Sequence, residues 1–458
     1  GYLQRQEMEY TECKVRNWVC LVGKTESNML KIGCCEQVLD VPLFAELYGY
    51  GPFAGRRNRG IHDPLYCRAV TFSDGEQRAL IVYTDTCVTA DLLVQKMRAR
   101  LASLYCLDPN GVAFVATHTH SAPLLGDGSI GSGERNPGFE QIWENTVIKA
   151  VGAALADEEE IIEADAGKSP LAKPLGKNRV EPDKNVTDPA IRWVRFRRAD
   201  GSAKLLIHNH GIHGVASNGN LYRSVSADWM GAANKLIRDR GVVQMPLFLL
   251  GPAGDINTVT SCRELGTDNA AEQIAEAYVN DLENDLQNGK KVDVSKIAFK
   301  LWNVEFPTIS QNAEELRKDA EVFRSFAESY WNNNADRLEE MAILAGCGRD
   351  LGVRHDLQIL RIGELMFFFV PGELYIEPGM ELMKQSGSDF PFVATVSNGN
   401  GAYLFTEASA LRYPDIASKS KQLFGYYELY GYMHSLRFKY RNDIAAFVIN
   451  QFLQKKDF

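Results

Sequence analysis

The chain of 458 residues lacks several features that mark whole classes of protein. It has no run of 18 apolar residues, so the sequence predicts no transmembrane segment. It has no basic excess either, because 59 acidic residues outweigh 50 lysines and arginines and give a net charge of −9. A surface that binds nucleic acid needs the opposite balance, so no nucleic-acid partner is expected.

The sequence also lacks internal repeats, low-complexity tracts and linkers rich in proline, serine and glycine. These absences predict one continuous domain over residues 1–458. A long, charged helical pattern stands out near residues 310–346. We interpret it as a helical insertion that faces solvent, with a partner-binding helix as the alternative.

The nine cysteines form an odd set without a C-x-x-C pair. Such a set fits neither a small disulfide scaffold nor a zinc ribbon. Cys67 and Cys87 stand in apolar runs, where a free cysteine is usually a small core residue. Disulfides among the N-terminal cysteines stay open. Because the chain begins at Gly1 rather than Met, we expect an upstream segment, with a signal peptide as one possibility.

Strand and helix patterns alternate along the chain, so the predicted fold class is α/β or α+β. The predicted strands are Tyr66–Phe72, Arg78–Thr84, Gly111–Ala116, Ile191–Phe196, Ala203–His208, Pro246–Leu250, Gln358–Ile362, Leu365–Val370 and Phe392–Val396. The predicted helices are Ala90–Leu104, Gly138–Ala156, Ala227–Arg240, Asp268–Gln287, Ala313–Leu344, Glu377–Gln385 and Arg441–Lys455.

The segment Val115–Pro123 runs from a predicted strand into His118 and His120. On an extended backbone, residues at i and i+2 point to the same face, about 7 Å apart at their Cα atoms. Two imidazoles at that spacing often hold zinc, although a pair of hydrogen-bonded histidines is an equally ordinary outcome. The chain has only eight histidines, and three more lie within residues 208–213.

Polar side chains follow several of the predicted strands, at the points where a rigid sheet gives way to a loop. Catalytic groups gather at such points because the sheet fixes the backbone while the loop frees the side chain. Two imidazoles, a carboxylate and a phenolate from these loops would satisfy a catalytic Zn²⁺. The side chains in question are His118, His120, His213, Asp255, Asn257, Glu373, Asn398, Asn400 and Tyr403.

The motifs resemble those of the neutral/alkaline, non-lysosomal ceramidases. Residues 117–123 read T-H-T-H-S-A-P, similar to the family's T-H-T-H-S-G/A-P signature, and five further segments follow the family's order over roughly residues 40–455. Those segments are Gly60–Ala69, Asn209–His213 with Ser226–Asp228, Gly251–Asn257, Pro371–Glu373 and Asn398–Thr406, and a late Y-E stands at Tyr427 and Glu428. The fold we expect is a layered sandwich of mixed β-sheets flanked by helices, with the active site at the strand ends.

The resemblance implies a zinc ion held by His118, His213, Glu373 and Tyr403. His120 would then be a catalytic histidine or support the ligands. Among the clustered histidines His213 is favoured and His210 is the fallback, whereas His208 is expected on the other side of its strand. The family also implies a secreted or periplasmic location.

Two departures from the family concern the substrate. Asn257 stands where the ceramidases have a serine thought to assist attack on the amide. The chain also ends soon after the Y-E element, where the family adds an immunoglobulin-like domain. An asparagine amide has no transferable proton but can hydrogen-bond an oxyanion or a hydroxyl, so we expect a polar, water-soluble substrate rather than ceramide.

The leading hypothesis is a zinc-dependent hydrolase that attacks an amide-type or ester bond with metal-activated water. In it, His120 or Asp255 manages protons, Tyr403 steadies the oxyanion, and Asn257 orients the substrate. The substrate-binding candidates are His62, Arg59, Arg179 and Asn398.

The first alternative is an enzyme acting on an acidic carbohydrate by metal-assisted hydrolysis or β-elimination. Asn178, Arg179, Arg56, Arg57 and Arg59 would then hold a substrate carboxylate, although surface solvation or ion pairing explains such arginines equally well. The second alternative is a non-catalytic binding protein. The partner expected is a small molecule or an oligosaccharide, and the oligomeric state is left open.

Overall fold

The fold is built on β-strands of very unequal length. The computed structural model describes residues 29–50, 55–126, 135–326, 329–348, 353–414, 424–431 and 439–458. The strands are β1 (Lys31–Leu39), β2 (Gly60–Ile61), β3 (Leu65–Ser73), β4 (Arg78–Thr84), β5 (Val112–Ala116), β6 (Glu159–Glu160), β7 (Glu163–Pro170), β8 (Gly176–Asn178), β9 (Ala190–Arg197), β10 (Ala203–His210), β11 (Ser224–Val225), β12 (Met245–Leu250), β13 (Ile256–Thr258), β14 (Lys290–Lys291), β15 (Ile297–Phe306), β16 (Val353–Ile362), β17 (Leu365–Phe369), β18 (Glu373–Leu374), β19 (Phe390–Ala394) and β20 (Tyr403–Leu404).

Three sheets carry the long strands. Their orders are β5-β4-β3-β1-β6, β12-β10-β9-β7-β14 and β15-β16-β17-β19. Each is mixed, because the pairs β4–β5, β10–β12 and β17–β19 are parallel and the other long pairs are antiparallel. The short strands form the pairs β2–β11, β8–β13 and β18–β20.

Helices cover these sheets. They are α1 (Asp91–Tyr105), α2 (Pro137–Ala156), α3 (Asp228–Asp239), α4 (Cys262–Leu265), α5 (Ala270–Asp285), α6 (Ala313–Arg324), α7 (Ser329–Gly346), α8 (Ile376–Gln385), α9 (Glu407–Arg412) and α10 (Ile444–Leu453). The start of α2 shows the local chemistry: the Asn136 side chain accepts a hydrogen bond from the Phe139 N–H, and Pro137 occupies the first turn. None of the helices in the described part of the chain has both the length and the apolar character to span a bilayer.

The apolar core lies in three clusters. Helices α1 and α2 cover one face of the first sheet, with Trp143 of α2 fully buried there. The other face packs on the second sheet, where the rings of Phe72 and Phe196 are 6.0 Å apart, and α3 and α5 join this core. The third sheet packs against α6, α7, α8 and α10. The molecule is therefore a layered arrangement of mixed sheets flanked by helices, as the sequence predicts.

All nine predicted strands are present, β4 with its predicted bounds. Three long strands were not predicted: β1, β7 and β15. Strand β7 reads EADAGKSP, in which small and polar residues hide the apolar alternation that identifies a strand.

The predicted single helix Ala313–Leu344 is wrong, because α6 and α7 form a hairpin instead. Its apolar face is buried on the third sheet, with Phe323 stacked on Trp331 at 5.4 Å. Two shorter helices bury both apolar faces against one core, which one straight helix of that length does not achieve. The insertion therefore does not face solvent on all sides.

Strand ends from different sheets meet at one place. The Asn398 N–H donates to the Phe114 carbonyl of β5 at 2.8 Å, and the Thr395 N–H donates to the Leu250 carbonyl of β12 at 2.8 Å. The loop after β19 thus joins the ends of β5 and β12. The polar residues that follow these strands are brought together there.

Candidate metal centre

Two buried histidines and a half-buried glutamate converge at this junction. Nε2 of His213 lies 3.0 Å from Oε2 of Glu373, and Nε2 of His118 lies 3.3 Å from the same oxygen. The rings of His118 and His213 are 4.7 Å apart at their centroids. All three potential ligand atoms lie within 4.8 Å of one another, which suits a single cation.

Backbone carbonyls fix the orientation of both rings. Nδ1 of His118 is 2.6 Å from the Cys87 carbonyl oxygen, and Nδ1 of His213 is 3.0 Å from the Ile256 carbonyl oxygen. Because a carbonyl only accepts, each Nδ1 carries a proton, and each ring turns its Nε2 toward the junction. Histidine ligands of metal ions are held in this way.

The side chains of His118, His213 and Glu373 fit a zinc ion. Among the described residues, Nε2 of His213 and Oε2 of Glu373 are buried, and apart from their 3.0 Å approach to each other and the His118 contact they have no hydrogen-bond partner. A buried polar atom without a partner is costly, so such atoms indicate a missing partner. Two imidazole nitrogens and one carboxylate oxygen are a common protein ligand set for catalytic zinc.

His118 reaches the junction through a turn, not along an extended strand. Strand β5 ends at Ala116, and His118 has a φ of +65°. The expected extended backbone at this pair is therefore wrong, because the chain bends where the His118 N–H donates to the Thr86 carbonyl and the His120 N–H donates to the Gly214 carbonyl. The two rings still meet, with their Nε2 atoms 3.2 Å apart.

Packing restrains one side of the His120 ring. Its ring packs edge-on against Tyr50 at 5.0 Å, and its buried Nδ1 has no hydrogen-bond partner among the described residues. Gly49, at a φ of +121°, lies so close that a Cβ there would stand 2.5 Å from the His120 Cγ. The buried Arg56 donates to the His120 carbonyl oxygen at 2.7 Å and so holds the backbone.

A short parallel ladder sets Tyr403 beside Glu373. These two residues are partners in the β18–β20 pair. The Tyr403 hydroxyl accepts a hydrogen bond from Arg179 at 3.2 Å. Arg179 is buried, donates also to Asn257 Oδ1 at 2.9 Å, and forms an ion pair with Glu428 at 2.8 Å. Arg179 therefore links Tyr403, Asn257 and Glu428 in one network beside the candidate ligands.

Asp255 supports the loop that carries His213's partner. Its two carboxylate oxygens accept hydrogen bonds from Asn178 Nδ2 at 2.8 Å and from the Ile376 N–H at 2.9 Å. Burial raises the pKa of Asp255 to about 7, although these hydrogen bonds oppose the rise. The contacts place Asp255 in the frame around Ile256, and its role in proton transfer stays a prediction.

The charges at the junction favour a cation. Burial alone would raise the pKa of Glu373, but the neighbouring His118 and His213 bring it well below its usual range. Burial, together with Arg179, lowers the pKa of His213 to about 4. Burial and the nearby His118 and His213 lower the pKa of His120 well below its usual range. An ionised carboxylate and neutral imidazoles are the protonation states that metal ligation needs.

For His118, burial alone would lower the pKa, but the Glu373 carboxylate raises it well above its usual range. Either a proton on His118 or a cation next to Glu373 would balance the negative charge of the Glu373 carboxylate.

Other predicted site residues lie elsewhere. His62 is exposed and pairs with Glu272 at 3.2 Å, and Arg59 is exposed beside it in a neighbouring cavity. The Asn398 amide is used internally, accepting from the Phe114 N–H and donating to Gln358. His210 contacts the Ala190 carbonyl at 3.1 Å, so the structure brings His213, not His210, to the junction.

Several residues of the site carry no sequence signal that we recognised. The carbonyls of Cys87 and Ile256 act through the backbone, which any residue supplies. Tyr50 and Gly49 stand outside every motif. Arg56 was interpreted as a substrate-binding or surface arginine, whereas it is 1% exposed and lies between the rings of Tyr50 and Tyr222.

Two solved ceramidase structures resemble this chain in fold. The neutral ceramidase from Pseudomonas aeruginosa aligns with a TM-score of 0.67 and 17% sequence identity, covering 92% of this chain and 75% of that chain. A ceramidase complexed with C2 aligns with a TM-score of 0.66 and 16% identity, covering 92% of this chain and 76% of that chain. A scan against protein-family models and a search of curated proteins found no match. The chain is thus similar in fold to neutral ceramidases.

Proposed function

We propose that this protein is a zinc-dependent hydrolase that cleaves an amide-type bond in a polar, water-soluble substrate. The observation that carries the proposal is the convergence of the His118, His213 and Glu373 ligand atoms on one buried point. The likeness in fold to ceramidases supports an amide as the bond that is cleaved.

His118, His213 and Glu373 would hold the zinc, and Tyr403 stands next to Glu373 to complete the set or to face the substrate. When bound, zinc lowers the pKa of water toward neutrality and polarises a carbonyl oxygen. The two backbone carbonyls at Cys87 and Ile256 keep the imidazoles oriented for this task.

Tyr403 is suited to steady the oxyanion that forms when the amide is attacked. Arg179 donates to the Tyr403 oxygen, so the hydroxyl's own proton is free to be donated to another acceptor. The nearby guanidinium also favours negative charge at this place. A positioned donor of this kind stabilises the transition state by about 3 kcal/mol.

His120 is the proposed proton carrier. Its Nε2 lies 3.2 Å from the His118 ligand atom, and its Nδ1 has no partner among the described residues. A neutral imidazole here can accept a proton from the nucleophile and pass it to the leaving amine. Asp255 is bound to Asn178 and Ile376, so His120 is the better placed of the two candidates.

The substrate's polarity is inferred from Asn257 and Arg179. Asn257 Oδ1 accepts from Arg179, which leaves the Asn257 amide N–H₂ to hydrogen-bond a substrate oxygen. No hydroxyl stands at this position to assist attack on the amide. The resemblance of the sequence motifs to those of the ceramidases suggests a secreted or periplasmic enzyme. This location stays a prediction.

Metal analysis and product analysis test the proposal together. We expect about one tightly bound zinc per chain. We also expect release of a free amine from N-acyl amino acids, with little or no turnover of ceramide. Uronic-acid oligosaccharides serve as the comparison for the carbohydrate alternative. A fully active preparation without metal would refute the zinc assignment, and robust ceramide hydrolysis would refute the polar substrate.

A further inference from the structure

Three arginines near the metal centre have no carboxylate partner among the described residues. Arg59 and Arg263 are exposed and Arg223 is half-buried. Most other arginines in the described part of this acidic chain do pair, for example Arg78 with Glu158 at 2.9 Å. Like charges gathered without counter-ions raise the local positive potential, which attracts anions.

Backbone hydrogen bonds place the three arginines on chain segments beside one tyrosine, Tyr222. The Arg59 N–H donates to the Arg223 carbonyl at 2.9 Å, next to the β2–β11 pair. The Arg263 N–H donates to Asn218 Oδ1 at 2.8 Å, in the turn that leads to Tyr222. Burial raises the pKa of Tyr222, and the charges of Arg56, then Arg223 and Arg263, oppose that rise, which places these guanidinium groups near its hydroxyl.

This region contains a cavity of about 540 Å³, and its lining includes Arg59, Tyr222 and Arg223. His62 also lines the cavity, and it takes the nearby Glu272 as its own partner. Among the described residues, the lining of this cavity contains no carboxylate, so the arginines that line it remain available to a ligand.

One aromatic layer separates this cavity from the metal centre. The Tyr222 ring is 5.9 Å from the Tyr50 ring, which is 5.0 Å from the His120 ring. Arg56 spans the same gap, because it donates to the Tyr222 carbonyl at 3.0 Å and to the His120 carbonyl at 2.7 Å. The arginines and the metal centre are thus two ring contacts apart, and a substrate held at both would have to extend past this layer.

We propose that Arg59, Arg223 and Arg263 form an anion-binding subsite, and that the substrate of the proposed hydrolase carries a carboxylate or sulfate group which this subsite holds. The inference rests on the proposed function for the reaction but not for the binding. Guanidinium groups bind planar oxyanions through two parallel hydrogen bonds, and this recognition favours a charged substrate over a neutral analogue.

The first experiment measures anion binding without turnover. Phenylglyoxal modifies free guanidinium groups, and mass spectrometry of the zinc-loaded protein locates the modified residues. Inorganic sulfate should slow modification of Arg59, Arg223 and Arg263 relative to chloride at equal ionic strength. Arg317 on α6, which is exposed and has no ion-pair partner among the described residues, is the matched control. Equal slowing at Arg317, or none at the three arginines, would overturn the subsite.

The second experiment compares a substrate pair that differs only in charge. Wild-type enzyme should hydrolyse an N-acetyl amino acid with a free α-carboxylate at least about tenfold faster in kcat/KM than its carboxamide, as one charge-assisted contact implies. The Arg59→Gln/Arg223→Gln double variant should lose that preference, and Arg317→Gln should keep it. An unchanged preference in the double variant contradicts the subsite even if the hydrolase is real. Sulfate protection without any turnover contradicts the hydrolase and leaves the subsite standing.

Discussion

The chain contains two pairs of histidines at the same spacing, and they have opposite fates. His118 and His120 follow the end of β5 and bring their Nε2 atoms to within 3.2 Å at the metal centre. His208 and His210 lie inside β10, where both rings pack against Tyr278. The first pair borders a site where buried polar atoms lack partners, whereas the second pair is part of the buried core.

The hydrogen bonds explain the difference. Nδ1 of His208 lies 2.9 Å from the Tyr278 hydroxyl and its Nε2 lies 2.9 Å from Asn234 Oδ1. Both of its nitrogens are therefore used. Each ring of the first pair keeps one buried nitrogen that faces another ligand or has no hydrogen-bond partner among the described residues. The nitrogens of His208 are used within the fold, whereas the proposed metal site keeps nitrogens that a cation could bind, so the spacing alone does not separate the two pairs.

The largest effect that would test this comparison is loss of the metal. His118→Ala and Glu373→Ala should each release the zinc and lower turnover by at least about 10³-fold, on the order of 4 kcal/mol. The fold should survive, because the site lies at loop ends. Zinc content by elemental analysis, circular dichroism and turnover check this. His208→Ala should keep its zinc, and loss of zinc there would break the distinction between the two pairs.

For the free energy of unfolding we expect the opposite ranking, with His208→Ala more destabilising than His118→Ala. His208→Ala leaves the Asn234 oxygen and the Tyr278 hydroxyl buried without their partner and opens a cavity, so we expect a loss of about 3 kcal/mol in the free energy of unfolding. Urea unfolding of both variants in the presence of a chelator measures this. If His118→Ala proves the more destabilising change under those conditions, the first pair is structural after all.

Tyr403→Phe separates a ligand from an oxyanion donor. If Tyr403 acts as a donor, the variant keeps its zinc and turnover falls by about 10²-fold, or about 2.7 kcal/mol. The Phe ring preserves the contact with Tyr427, whose centroid is 5.8 Å away. Zinc affinity measured by competition with a chelator distinguishes the two roles, since a marked fall in affinity would show that the phenolate is a ligand.

Asn257→Ala should have the smallest effect. The variant loses one hydrogen-bond acceptor of Arg179 and one donor to the substrate, so we expect kcat/KM to fall about tenfold, or about 1.4 kcal/mol. Asn257→Ser is the informative control, because it restores the hydroxyl found in ceramidases. No change in either variant would remove Asn257 from the reaction.

Sequence reasoning predicted most of the long strands, because apolar strands that end in polar loops leave a clear pattern. The grouping of His118, His213 and Glu373 followed from the resemblance to the ceramidases, and the structure brings these three side chains together. The pattern could not predict which polar side-chain atoms are already engaged in hydrogen bonds within the fold. Asn398 looks available in the sequence, but both ends of its amide serve β5 and β16.

The missed features depend on contacts between distant segments. The carbonyls of Cys87 and Ile256 orient the rings, and a carbonyl has no residue identity to detect. The helix break between α6 and α7 follows from how two apolar faces share one core, which the helical period alone does not reveal. Residues of this kind become visible only when the tertiary structure is known.

The close approach of Gly49 to His120 has a practical consequence for protein engineering. The His120 ring packs directly against Gly49, which has no side chain. A methyl group added at Gly49 would stand 2.5 Å from the His120 Cγ and would displace the ring. Gly49→Ala should slow turnover while leaving zinc content and every donor atom intact. A substitution at position 49 would therefore change turnover by moving the His120 ring, without replacing any side chain proposed to hold zinc or to react.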